Sequence, residues 1–220
     1  MRVASGDRRL RWVVLGLALL ACALYAAAYF VPMWGWYLSA PQYPQGLVMA
    51  VYLDRVTGDV TEINILNHYI GMAKLEDAAQ LERSLSLYGV IAIGLASLMG
   101  VCLPGRRFSK YLFLPALLFP VVFLGMVYFW MYRFGHELNP DAPVTVSPFT
   151  PTLIGVGDIG NFHTVGLPGP GFYLILGAAL AVAAAFLIRR RICGGCRHAK
   201  DCGMACPHMF LGKDLAASKE

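Results

Sequence analysis

Charge is what this chain has least of. Asp, Glu, Lys and Arg make up 14% of its 220 residues, against about 25% in an ordinary soluble domain. The deficit collects in four runs, Trp12–Val31, Ser86–Leu103, Tyr111–Tyr132 and Phe172–Ile188, none of which holds Asp, Glu, Lys, Arg or His. Proton and ion paths through a bilayer are lined by ionisable side chains, so their lack argues against a transporter. The five histidines, at 68, 136, 163, 198 and 208, all fall outside the runs, and C-x-x-C-H is missing. No haem is therefore expected, of b type or c type. The chain also lacks a Walker loop, H-E-x-x-H and G-x-S-x-G, so no stand-alone catalytic activity is expected. No basic patch interleaved with aromatics points to nucleic acid.

What is present in quantity is apolar sequence, at 58% of the chain. Each of the four runs suits a helix that crosses the hydrocarbon core, which takes roughly 17–25 residues. The first exceeds the roughly 7–15 apolar residues of a signal peptide. The expected fold is a membrane all-α protein with four transmembrane helices. Of the 18 Lys and Arg, 14 fall in the N-terminus, the Gly105–Lys110 turn and the tail. The positive-inside rule puts those segments in the cytoplasm, N-in and C-in. The expected organisation is a cytoplasmic N-terminus at 1–11, a first span at 12–31 and an extracytoplasmic domain at 32–85. A second span at 86–103, a cytoplasmic turn at 104–110 and a third span at 111–132 come next. An extracytoplasmic loop at 133–171, a fourth span at 172–188 and a cytoplasmic cysteine-rich tail at 189–220 complete the chain. The expected location is the bacterial inner membrane, multi-pass.

Within the first external segment, Ala40–Pro44 should be extended, because a residue before proline avoids the helical region. Leu47–Leu53 and Val60–Leu66 around Thr57-Gly58-Asp59 predict a β-hairpin. Leu75–Leu85 predicts an amphipathic helix. Trp34, Trp36 and Tyr37 fall where an interfacial aromatic belt belongs. The second external segment is rich in proline and glycine and predicts a long irregular loop packed over the first or over a partner. Pro115 and Pro120 should kink the third span and free carbonyls that neighbouring helices must satisfy. Cys22 and Cys102 are expected as small buried apolar residues.

Two sets of residues carry metal chemistry. Cys193, Cys196, Cys202 and Cys206 occur as C-x2-C-x5-C-x3-C-P, close to the ferredoxin run but with a longer middle gap. Gly194, Gly195 and Gly203 permit tight turns, and Arg197 and Lys200 offset thiolate charge. An iron–sulfur cluster, a structural zinc (with His198 or His208 as an alternative ligand) and a reduced metal-free tail all fit that spacing. On the other side, His68 and Met72, with Met49 and His163, form an imidazole–thioether set suited to copper. Met126 and Met131 sit near the outer end of the third run. The plain alternative is that these residues pack the domain.

Three segments share a further likeness. Ala40-Pro41-Gln42-Tyr43-Pro44-Gln45-Gly46-Leu47, Gly58-Asp59-Val60-x-Glu62-Ile63-Asn64 and Leu66-Asn67-His68-Tyr69-Ile70-Gly71-Met72 resemble a signature of small polytopic membrane proteins. These are found in bacterial gene neighbourhoods for nitrous-oxide reductase and related copper-dependent respiration. Asp141-Ala142-Pro143, Ser147-Pro148-Phe149-x-Pro151 and Ile159-x-Asn161-Phe162 resemble the second-loop signature of the same group. The resemblance implies a non-enzymatic accessory of a respiratory copper enzyme, in its assembly, copper handling or electron supply. The partners implied are that enzyme or its maturation and electron-transfer proteins. Two other roles fit the residues: a scaffolding subunit of a membrane oxidoreductase, and a redox sensor or relay built on the tail.

Overall fold

The computed structural model describes residues 6–102, 106–159 and 162–192. Four helices are long and apolar enough to cross a membrane, over Leu10–Tyr29, Gln80–Cys102, Lys110–His136 and Pro170–Arg189. They belong to α1 (Gly6–Tyr29), α3 (Gln80–Cys102), α4 (Arg106–His136) and α5 (Pro170–Ile192). This is the architecture of a multi-pass membrane protein. It is not all-α, however. Between the long helices lie β1 (Trp34–Ala40), β2 (Tyr43–Val51), β3 (Val56–Gly58), α2 (Val60–Tyr69), β4 (Gly155–Ile159) and β5 (Phe162–Pro168). The five strands form one antiparallel sheet in the order β3-β2-β1-β5-β4.

The chain makes two compact units. One comprises the described residues within Met1–Tyr25, Ile91–Phe119 and Gly177–Glu220. Here α1 touches each of the other long helices. Cys22 Sγ lies 3.4 Å from the Gly94 carbonyl on α3, and Leu24 borders Gly177 on α5. Tyr25 stacks edge-on against Phe119 of α4. Its hydroxyl donates to the Ala116 carbonyl at 2.7 Å. That carbonyl is the one Pro120 cannot serve, since proline has no N–H to return to the residue four before it. The neighbouring-helix partner expected for it is thus a tyrosine. Cys22 is half-buried, whereas Cys102, expected inside, is exposed at the end of α3.

The other unit comprises Ala26–Val90 and Pro120–Leu176 and holds the sheet. Alternation along β1 sends Trp34, Trp36 and Leu38 to one face, where they sit opposite Val51, Met49 and Leu47 of β2. Trp34 and Trp36 are 0% and 5% exposed. They form the core of this unit, not the interfacial belt expected of them. Burying an indole costs free energy unless its N–H finds a partner. Trp34 Nε1 donates to the Leu153 carbonyl at 3.0 Å and Trp36 Nε1 to Thr152 at 3.2 Å. These bonds fasten the second inter-helix segment to β1. The same segment supplies β4 and β5, with β5 alongside β1, so the loop expected to be irregular completes the sheet.

Three local expectations change for physical reasons. Val60–Leu66 is helical, not a strand. Its β-branched residues suggested a strand, but Val60, Ile63 and Asn67 recur at helical spacing, and Ile63 and Asn67 are buried. Pro41-Gln42 is the turn of the β1–β2 hairpin, since Ala40 pairs with Tyr43. The Leu75–Leu85 helix is broken. A short 3₁₀ turn, Leu75–Asp77, ends at Ala78. Ala79 then takes a left-handed φ of 52° before α3 begins.

Candidate functional site

The helix α2 explains the Leu66–Met72 segment. Gly71 has φ +78°. Its N–H bonds the His68 carbonyl at 3.3 Å, and the Met72 N–H reaches back to Asn67 at 2.8 Å. This pair of bonds is a Schellman C-cap, which wants glycine at the left-handed position and an apolar residue just beyond it. The cap turns the chain back so that Met72 packs against the core. Asn64 clamps the 3₁₀ turn beyond the cap: its Oδ1 accepts from the Leu75 N–H at 2.9 Å and its Nδ2 donates to Glu76 at 2.8 Å. Asp59 exchanges bonds with Val48, accepting at Oδ2 (2.7 Å) and donating from its own N–H (2.8 Å). Asn139 N–H donates to Gly71 O at 2.8 Å, and Val144 N–H to Tyr69 O at 3.0 Å. The segment that follows α4 therefore meets the Leu66–Met72 segment in space.

Gly71→Ala is the sharpest local probe of this arrangement. Its Cβ would stand 2.7 Å from Asn139 O, on top of a left-handed penalty of about 1–2 kcal/mol. A loss of at least that size in thermal or chemical unfolding of the detergent-solubilised protein is expected.

Beneath the cap lies a cavity of about 90 Å³. Its lining is almost wholly apolar and includes Met49 of β2, Met72 and Met131 of α4, with Trp36 beside them. Its polar contributors are Asn67 and Thr164. Each has a hydrogen bond to backbone, Asn67 Nδ2 to Ala73 O at 3.4 Å and Thr164 Oγ1 to Gly157 O at 2.9 Å. Met72 also lines a second, open groove on the outer side of α2, together with His68, Tyr69, Lys74 and Glu76.

Of the four residues expected to bind copper, Met49 and Met72 share the cavity, and His68 shares the groove with Met72. His163 is elsewhere. On β5, Thr164 and Gly166 are buried while His163 is exposed, so alternation puts it on the sheet face away from Met49. There it pairs with Asp158. Met131 belongs with the cavity although it lies within an apolar run. The signal for it was helical spacing: Val127, Trp130, Met131 and Phe134 all pack on the sheet's core. Among the described residues no three of His, Cys, Asp and Glu converge as a metal centre. Cys193, Cys196, Cys202 and Cys206 lie outside the described residues.

No protein-family model matches the chain, and no curated protein sequence matches it.

Proposed function

We propose that this is an accessory membrane protein of a bacterial respiratory copper enzyme, serving its assembly, copper handling or electron supply. Its sheet unit would face away from the cytoplasm, as the distribution of Lys and Arg implies. The observation that carries the reading is the gathering of Met49 and Met72 into one cavity, with His68 on the adjoining groove. The signature residues around them support it, since Asp59, Asn64, Asn67 and Gly71 build the scaffold that holds Met72 in place. The four tail cysteines would hold an iron–sulfur cluster or zinc on the cytoplasmic side. Iron, sulfide and zinc content after anaerobic purification decides between these.

Deleting the gene from the host tests the role. The copper enzyme in the mutant's membranes should be present but poor in copper, and restored by the wild-type chain. An enzyme fully loaded with copper without this protein would overturn the role. A second reading is a scaffolding subunit of a larger oxidoreductase. It is favoured by the spans of α3 and α4, of which only 22% and 17% are buried within the chain. It expects stoichiometric co-purification with large subunits and no effect on copper loading.

A further inference from the structure

We infer that the cavity in the sheet unit is a Cu(I) site, with the thioethers of Met49, Met72 and Met131 as ligands and the His68 groove as its entrance. The inference gives the proposed role its cargo and rests on that role for its biological setting alone.

Three of the chain's nine methionines line this one cavity. They come from a strand, a helix cap and a long helix, so no single element's periodicity accounts for their meeting. Thioether sulfur is a soft, neutral donor that selects Cu(I) over harder ions. The lining contains no carboxylate, thiolate or imidazole. A buried divalent ion would find no compensating charge, and its desolvation cost rises with the square of the charge. A monovalent soft cation suits this donor set, whereas Zn²⁺ and Cu²⁺ do not. Thioethers are also serviceable in an oxidising compartment, where cysteines pair into disulfides.

Met72 gives the site its route. It lines the cavity on one side and the open groove on the other. His68, exposed in that groove, offers an imidazole to an incoming ion. Met72 takes the ion from it, and Met49 and Met131 complete the coordination inside. Binding involves no change of oxidation state and releases no proton from the thioethers.

The test uses the full-length chain in detergent under anaerobic conditions, with all six cysteines, Cys22 and Cys102 included, replaced by serine to remove competing thiols. Cu(I) is titrated against a chromogenic Cu(I) chelator. One Cu(I) per chain is expected. Met49→Leu with Met131→Leu should weaken it at least about tenfold, since loss of even an outer-sphere partner costs about 10–100-fold. Leucine conserves volume, so the far-ultraviolet spectrum and thermal midpoint should be nearly unchanged. Affinity should be the same at about pH 5.5 and 7.5, because thioether ligands have no proton to lose. His68→Ala should slow loading and leave the equilibrium affinity intact. No binding, binding indifferent to the methionine substitutions, or an affinity that falls with acid would each overturn the site. If Cu(I) binds yet the deletion strain loads its enzyme normally, the role fails and the site stands. If Cu(I) does not bind but the enzyme lacks copper, the reverse holds.

Discussion

Trp34→Ala is expected to unfold the sheet unit, at a cost of about 3–5 kcal/mol. That is comparable with the whole stability of many domains, about 5–15 kcal/mol. Trp34 is fully buried and packs against Trp36, Phe123 and Phe172, with ring centroids 6.2, 6.5 and 5.6 Å away. Its truncation removes the contact between β1 and the parts of α4 and α5 that belong to this unit. It also strands the Leu153 carbonyl, which then loses its indole donor. Trp34→Phe separates the two effects. The ring remains, so the expected loss falls to about 1–3 kcal/mol, the cost of one unsatisfied buried polar group. Intrinsic tryptophan fluorescence, tracked through thermal unfolding in detergent, reports both. An alanine variant with a native transition would show that the β1 core does not hold the unit together.

Tyr25→Phe is expected to loosen the contact between α1 and α4 by about 1–3 kcal/mol, with almost no change in shape. The hydroxyl is the donor to the Ala116 carbonyl that Pro120 leaves without its helical partner. In hydrocarbon no water can replace it, so a freed carbonyl at that depth must be met by protein. Restoring the helix's own bond by Pro120→Ala should make Tyr25→Phe nearly neutral. That non-additivity is the signature of two residues serving one group. Unfolding in mixed micelles by a denaturing detergent measures it. Additive losses in the double variant would mean the hydroxyl and the proline are unconnected.

The long helices were legible because nothing else in sequence looks like them. Some twenty positions without Asp, Glu, Lys, Arg or His leave few alternatives: the third and fourth runs lie wholly within described helices, the first runs two residues past the end of α1, and the second falls in α3 except for Leu103, which lies outside the described residues. The sheet was less so. Its fourth and fifth strands lie in a stretch where glycine and proline suppress every strand signal. Gly166 shows why glycine is there: a Cβ at that position would meet the Leu153 carbonyl at 2.5 Å and Trp36 Nε1 at 2.9 Å. The residue that most weakens strand propensity is the one that lets β5 lie against β1. The helix α2 resembled a strand because seven residues rich in valine and isoleucine do not separate a period of 3.6 from a period of 2. Its stop signal at Gly71 was present in the sequence.

The candidate site was half legible. Met49 and Met72 stood out as soft donors and share the cavity. His163 stood out as an imidazole donor for the same metal, yet strand alternation turns it to the opposite face. Met131 stood beside that set without being assigned to it, because it lies in a run whose apolar character a membrane explains. Its second role appears only once α4 is seen to continue into the sheet unit, where Phe134 and Met131 pack on the core.

The most direct measurement is copper K-edge X-ray absorption on the full-length, selenomethionine-labelled protein carrying one equivalent of Cu(I), with all six cysteines replaced by serine. Selenium then marks every methionine and nothing else. Selenium neighbours in the first shell, reduced in the Met49→Leu, Met131→Leu variant, are the expected result. A first shell of nitrogen or oxygen, with no selenium in it, would contradict a methionine-held copper and leave the three thioethers as packing.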